Sequence, residues 1–365
     1  MEARGVVSDG MGGYSVCDLE VHDPEPGEVL VELKASGICH TDHDLLGVPV
    51  PLVLGHEGAG VVRAVGEGVT RVEPGERVVL SWSIPCRACF QCEVGNEHLC
   101  ERGSPLTGGL GGHAHLGATT RDGQPVIRAF NLGTLSTATV VQEAAVVPLR
   151  TDVGWASAAI AGCGVMTGLG SVLNASGLQP GQSAVVLGCG GVGLNVVQGC
   201  RITGAAMVIA VDRNAARLER ATRFGATHVI EPAADDDGLR AVADAVRALT
   251  DGRGADVAFE ATAVPALAAA PLAMVRHGGT AVQVSGVEQQ VEIDMRLFEW
   301  DKTYLNPLYG QCAPDRDFPR LFDLHASGQL LLDEQVTATF TLDEVEAGFA
   351  ALLAGTGAKG VVVLD

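Results

Sequence analysis

Residues 183–212 constrain the fold more than any other stretch of the chain. SAVVL (Ser183–Leu187) reads as a short apolar strand, GCGGVG follows it, and helix-forming residues continue to about Thr203. MVIAV (Met207–Val211) is the next strand, and it ends at Asp212. The same alternation goes on: a helix over 215–224, a strand at HVI (His228–Ile230), a helix over 235–250, and strands around Val257 (VAFEA) and Thr280 (TAVQVSG). Strands that alternate with helices pair in parallel, so the expectation is an α/β unit with a doubly wound parallel sheet and helices on both faces.

Gly188, Gly190 and Gly193 stand as G-x-G-x-x-G between strand and helix. Glycines there permit a tight turn and let a pyrophosphate approach the backbone, where the helix N-terminus favours its charge. Alone the motif is weak, and an ordinary strand–helix turn can carry it. Here Asp212 closes the second strand, where a carboxylate accepts hydrogen bonds from an adenosine ribose and repels a 2′-phosphate. That favours NAD. Arg213 and Arg217 keep NADP open, since arginine can accept the 2′-phosphate.

The second constraint is sulfur. Cys86, Cys89, Cys92 and Cys100 read C-x2-C-x2-C-x7-C. Four thiolates in so short a stretch suit one tetrahedral ion in a closed structural site, with zinc first and an iron–sulfur cluster second. Disulfides are the other use of close cysteines. MEARGVVSDG at the start lacks the apolar core of a secretory signal, which favours a reducing, cytoplasmic setting and metal binding. A separate set comprises Cys39 in GICHTDHD, His56 in GHEGAG and Cys163 in AGCGVMTG. Two thiolates and one imidazole leave a fourth position of a second zinc open for water or substrate. Asp42 is the candidate partner for the other ring nitrogen of His56, and Glu57 is a neighbouring or alternative ligand.

Around these motifs the first 150 residues are β-rich and barrel-like. Strands are expected at 28–34 (EVLVELK, alternating as a half-buried strand does), 59–65 and 77–81, with an irregular glycine-rich loop over 103–123. A buried helix is expected over 155–174. Helices over 318–327 and 342–354 and a closing strand GVVVLD are expected to return to the first domain. The net charge of −20 argues against nucleic acid or an anionic membrane as partner. No uninterrupted apolar run reaches membrane-spanning length, so no span is expected. Asp235–Asp237 reads as a solvated loop.

GICHTD, GHEGAGVV, the four-cysteine lobe, GCGVMTG, GCGGVGL and VDRN together resemble, in order, the zinc-dependent medium-chain alcohol dehydrogenases. The long segment between Cys100 and Val140 is most similar to the animal-type and class III branch. The resemblance implies a GroES-like catalytic domain (1–160 and 309–365, with the lobe at 86–100) and a Rossmann NAD-binding domain (161–308). It implies two zinc ions per chain and a homodimer or homotetramer. It also implies roles: Cys39, His56 and Cys163 on catalytic zinc, Thr41 on the substrate oxygen, and Trp82 shaping the substrate pocket. His40, Thr167, Gly191, Val192, Gly286, Val287 and Lys359 join the glycine turn as cofactor contacts, Lys359 at the pyrophosphate. Two departures stand out. The relay histidine of the family falls here on Asp44, with His43 one residue earlier, so His43, Asp44 or water carries the proton. The basic residue that the glutathione-adduct branch places four positions after the last lobe cysteine is Ser104. LLGVPVPLVL (45–54) also lacks that branch's acidic residue. The expected reaction is therefore NAD-dependent interconversion of a hydrophobic primary alcohol (aliphatic, allylic or aromatic) and its aldehyde. The alternative is a formaldehyde dehydrogenase acting on a thiol adduct. A dinucleotide-binding protein without activity would be expected to lack a zinc ligand, and all three are present.

Overall fold

The computed structural model describes residues 1–107, 118–236, 238–287 and 289–364. The chain divides into two compact units, Met1–Gly164 with Ala313–Asp365, and Val165–Cys312. The resemblance implies divisions after 160 and 308. The later break puts Cys163 in the first unit rather than in the dinucleotide-binding one.

Glu28–Gly37 is the centre of the first unit. The alternation in EVLVELK predicts one solvated face, but nearly every residue of the strand is buried. An apolar cluster that includes Val7 and Leu19 covers Leu30, and the helix Trp155–Ile160 packs against the strand, so neither face is left to solvent. Glu57–Val65, Ala138–Gln142 and Lys359–Val363 all pair with it antiparallel. Its last residues lie between two strands, with Gly37 opposite both Glu57 and Val361. That register brings the start of Glu57–Val65 and the start of Lys359–Val363 to one place. A β-carbon on Gly37 would lie 2.0 Å from Glu57 Oε2, so the glycine makes room for a buried carboxylate. A second sheet, built on Glu2–Ser8 and Tyr14–Val21, closes the β-rich part over an apolar cluster that includes Val7, Leu19, Leu30 and Val140.

The second unit holds a six-stranded sheet ordered His228–Ile230, Met207–Val211, Ser183–Leu187, Ala255–Glu260, Val275–Gln283, Thr303–Leu305. Every pairing is parallel. The order reverses between Ser183–Leu187 and Ala255–Glu260, the switch point at which doubly wound folds bind ligands. Parallel strands covered on both faces read as continuous apolar runs, as SAVVL and MVIAV do. Val185, Leu187, Ile209, Val211 and Ala258 pack into one core with Val242 and Val246 of the helix Arg240–Leu249.

The helix expected over 235–250 begins five residues later. Asp236 is not merely solvated: its carboxylate accepts the backbone N–H of Arg240 and of Val242, at 2.7 and 3.2 Å. Asp237 lies outside the described residues, as does 108–117 of the expected glycine-rich loop. Helical structure runs from Trp155 to Ala175, interrupted by two π-turns, at Ala161–Val165 and Ser171–Ala175. This stretch is long and apolar enough to cross a membrane, yet 78% of its most apolar window is buried inside the protein, as in a core helix.

Candidate active site

The four-cysteine lobe is built by a tight local chain path. Arg87 adopts a positive φ of 56°, Cys89 caps the single turn Phe90–Glu93, and the short turn Glu97–Leu99 delivers Cys100. The four sulfurs lie within 4.8 Å of one another, and all ten cysteines are free thiols, which excludes the disulfide reading. Two sulfurs about 2.3 Å from a common tetrahedral centre are about 3.8 Å apart; Cys89 Sγ and Cys100 Sγ are 4.0 Å apart. Backbone N–H groups already favour the anionic form of two of the sulfurs, Cys89 and Cys100, while burial raises the Cys86 and Cys92 thiols. The N–H groups of Cys86 and Gly103 donate to Cys100 at 3.2 Å, and that of Glu101 to Cys89 at 3.4 Å. Burial alone would raise the Cys100 thiol; these donors bring it down to about 6. The donor set fits zinc.

The second cluster draws on three separate elements. Cys39 caps the short helix His40–Asp44, and Asp42 of that helix accepts the Cys39 N–H at 3.1 Å. The other Asp42 oxygen accepts the Gly55 N–H at 3.2 Å and lies 2.9 Å from His56 Nδ1. One fully buried carboxylate thus fixes the helix, the loop before His56 and the imidazole ring. His56 Nε2 is buried, has no hydrogen-bond partner in good geometry, and lies within 4.8 Å of donor atoms of Cys39, Glu57 and Cys163. Cys163 arrives on the first π-turn. A β-carbon on Gly162 would come within 3.0 Å of Leu80 O and 3.3 Å of Glu57 Cα, so the small residue lets the turn approach. Extra-residue turns of this kind often re-aim a side chain at a functional site.

The titrations follow from that crowding. A hydrogen bond from Cys163 holds the Cys39 thiol well below its ordinary range and drives Cys163 well above. Burial would lower His56, but Asp42 and the anionic Cys39 raise it well above a free imidazole. Burial pushes Glu57 up to about 7 against the pull of Lys359. An arrangement of adjacent soft donors whose proton affinities diverge this far is suited to exchanging protons for a dication. The residues present fit zinc, with Glu57 as a fourth donor in reach.

The remaining expected residues separate into two groups. Thr41 Oγ1 lies 3.7 Å from Cys39 Sγ, beside the cluster. Trp82 is buried. Lys359 is buried as well, and its ammonium donates to Glu57 Oε1 at 2.6 Å and to Ile38 O at 3.1 Å. His43 is half-exposed, with its ring edge-on to Phe349 and 4.0 Å from Asp44; His40 is exposed. The sequence reading missed Phe130. Its ring stacks on His56 with centroids 4.7 Å apart and meets Trp82 edge-on at 5.5 Å. Phe130 also holds a left-handed φ of 53°, rare for an aromatic residue and a form of strain that gathers at functional sites. No periodicity or motif marks it.

In the second unit, Gly188 has a φ of +86° and Gly193 has no room for a β-carbon, which would meet Gly188 O at 1.8 Å. Gly190, which caps the helix Gly191–Thr203, has open space instead. That space is where a phosphate can approach. Gly191, Val192 and Gly193 form the helix's first turn. Asp212 accepts the Cys189 N–H at 2.8 Å and the Asn214 N–H at 2.9 Å, tying the glycine turn to the second strand. Arg217 approaches Asp212 at 3.8 Å, and Arg213 is exposed. Thr167 is half-buried, its carbonyl accepting from Ser171 Oγ at 2.7 Å. Gly286 and Val287 lie just beyond the strand Val275–Gln283. The residues fit a dinucleotide.

Comparison with known proteins agrees with both units. The alcohol dehydrogenase GroES-like domain family matches residues 25–151, and the zinc-binding dehydrogenase family matches residues 191–327. The putative alcohol dehydrogenase D of Mycobacterium tuberculosis (strain ATCC 25618 / H37Rv) is 36% identical over 364 residues, 96% of each chain. The S-(hydroxymethyl)glutathione dehydrogenase of Paracoccus denitrificans is 34% identical over 358 residues, 95% of this chain and 96% of its own. Among solved structures, the benzyl alcohol dehydrogenase of Acinetobacter calcoaceticus superposes with a TM-score of 0.89 at 29% identity over the whole of both chains.

Proposed function

The chain belongs to the zinc-dependent medium-chain alcohol dehydrogenases, and from that premise we propose that it interconverts an uncharged hydrophobic primary alcohol and its aldehyde. The observation that carries the substrate class is Phe130 stacked on His56, with Trp82 edge-on behind it. It gives the donor cluster an apolar flank that suits an aromatic or allylic group. Ser104, at the position of the adduct branch's basic residue, is buried, and its hydroxyl accepts the Leu106 and Thr107 N–H groups. It caps a turn and offers no cation to a thiol adduct's carboxylate.

When bound, zinc polarises the substrate oxygen as a Lewis acid and NAD takes up the hydride. The chain does the rest. Cys39, His56 and Cys163 hold the metal. Asp42 fixes the imidazole so that Nε2 is the coordinating nitrogen. The Thr41 hydroxyl receives the proton of the substrate alcohol and passes it outward toward His43 or solvent. Trp82 and Phe130 orient the apolar group and exclude water. Gly188–Gly193, Asp212 and the residues after the fifth strand, Gly286 and Val287, hold the dinucleotide. Lys359 neutralises Glu57 and so limits that carboxyl's hold on the metal. A homodimer or homotetramer remains the expected assembly, which light scattering would measure.

The test follows NADH formation with benzyl alcohol, geraniol, hexanol, ethanol, and formaldehyde plus thiol, on protein of known zinc content. Higher kcat/KM for benzyl alcohol and geraniol than for ethanol, lowered selectively by Phe130→Ala, supports the proposal. Turnover of formaldehyde plus thiol alone replaces it with the adduct reading.

A further inference from the structure

Glu260 is the last residue of the strand Ala255–Glu260, beside the switch point of the second unit, and it is fully buried. A carboxyl group is costly to bury unless all of its acceptor capacity is used. Here two donors meet each oxygen. Oε1 accepts the Thr262 N–H at 2.6 Å and the Thr262 hydroxyl. Oε2 accepts Gln283 Nε2 at 2.6 Å and the Ser285 hydroxyl. All four donors are neutral, so the group is solvated by the protein's own dipoles.

The donors come from two different chain exits. Thr262 lies in the turn leaving Glu260's own strand. Gln283 and Ser285 end and follow the neighbouring strand, Val275–Gln283, directly before Gly286 and Val287. The backbone doubles the link: Glu260 O accepts the N–H groups of Val284 at 2.8 Å and of Ser285 at 3.2 Å. Ser285 Oγ in turn accepts the N–H of Ala263, which is held at a left-handed φ of 58°. The turn so fixed borders the glycine turn, since a β-carbon on Gly188 would meet Ala261 O at 2.8 Å and Thr262 Cγ2 at 2.9 Å. A third strand joins through Tyr304, whose hydroxyl lies 3.1 Å from Gln283 Oε1.

In a doubly wound sheet the strands on the two sides of the switch point form two mononucleotide halves. Asp212 belongs to the half that takes adenosine. Glu260 and its partners all belong to the other. We propose that Glu260 is a positioning residue for the nicotinamide half of the cofactor site, holding the Ala261–Val264 and Val284–Val287 turns in the shape that receives it. The inference rests on the dinucleotide reading of Gly188–Gly193.

The two halves make this testable by binding alone, using NADH and AMP with the full-length, zinc-loaded protein. Glu260→Gln turns one oxygen into a donor that faces donors. The expected result is a rise of about tenfold or more in the NADH dissociation constant, with the AMP constant within about twofold of wild type, since AMP reads only the adenosine half. Ser285→Ala removes one of the four donors and should shift NADH less, about threefold, in the same selective way. It decides the matter if Glu260→Gln does not fold. Equal weakening of NADH and AMP, or no weakening of NADH, overturns the proposal. Gly190→Val separates the premise: it should weaken both ligands, and if it leaves both unchanged the dinucleotide reading itself is wrong.

Discussion

Cys86, Cys89, Cys92 and Cys100 come from a single short stretch whose own backbone N–H groups hold the sulfurs. Cys39, His56 and Cys163 come from a helix cap, a strand entry and a π-turn, and they depend on Asp42, Gly37 and Gly162 to meet. The first cluster has four like ligands, and the buried base beside it, His98, is not one of its donors. The second has unlike ligands, a buried carboxyl pushed to about 7, and an aromatic flank. Similar soft donors thus serve opposite ends. A locally built, saturated set stabilises its own loop. A set assembled from distant parts, with unequal proton affinities, can exchange a ligand and do chemistry.

Removing one ligand from each cluster tests that contrast most sharply. Cys39→Ser should lower kcat/KM by about 10³-fold or more, reduce bound zinc from two ions to one, and leave the melting temperature near wild type. Cys100→Ser should also lose one ion, but it should show first in the melting temperature, by on the order of 10 °C, with activity falling only as the protein unfolds. Calorimetry and metal analysis on both variants are sufficient. If the two behave alike, the division into chemical and structural clusters is wrong.

Asp42 is the next test, because the open cluster needs an external support that the lobe does not. Asp42→Asn keeps the shape and can still accept the Cys39 or Gly55 N–H, but it weakens the hold on His56 Nδ1. Outer-shell partners of metal-bound histidine are typically worth 10–100-fold. The expected result is a loss of about that size in both zinc affinity of the open cluster and kcat/KM, with the lobe ion retained. An unchanged zinc affinity would mean that Cys39 and Cys163 hold the metal without help from the ring's orientation.

Both clusters were visible in the sequence because their chemistry depends on residue type and spacing, as was the parallel sheet, because SAVVL, MVIAV and the glycine turn carry their period locally. What stayed hidden depends on contacts between distant residues. Phe130 reaches His56 only through a left-handed backbone kink. Lys359 reads as a free cation for a phosphate, yet the register of Lys359–Val363 against Glu28–Gly37 delivers its ammonium to Glu57. Glu260 looks like the polar end of a strand, and its four donors lie up to 25 positions away. EVLVELK announces one wet face, and only the apolar cluster around Leu30 and the helix Trp155–Ile160 packed on the strand show that both are covered.

The smallest effect concerns how the closed lobe is tied to the rest of its unit. Asp315, at the start of the helix Pro314–Ala326, pairs with Arg71 and also with Arg87, which lies between the first two lobe cysteines, at 2.7 Å. The Arg71 hydrogen bond, aided by the charges of both guanidinium groups, holds the Asp315 carboxyl below its ordinary range despite partial burial. A carboxyl whose folded pKa is depressed contributes stability that is present above its unfolded pKa, about 3.9, and is lost as pH falls through the folded value. Asp315 is nearly half exposed, with 46% of its side chain accessible, so screening limits the pair to under about 1 kcal/mol. Asp315→Asn should therefore lower the melting temperature at pH 7 by about 1–3 °C, and the gap to wild type should close as both proteins are acidified below the carboxylate range. Zinc in the lobe should be unaffected at pH 7, since the lobe is self-supporting. A loss of lobe zinc in this variant would show that the closed cluster, like the open one, leans on distant residues.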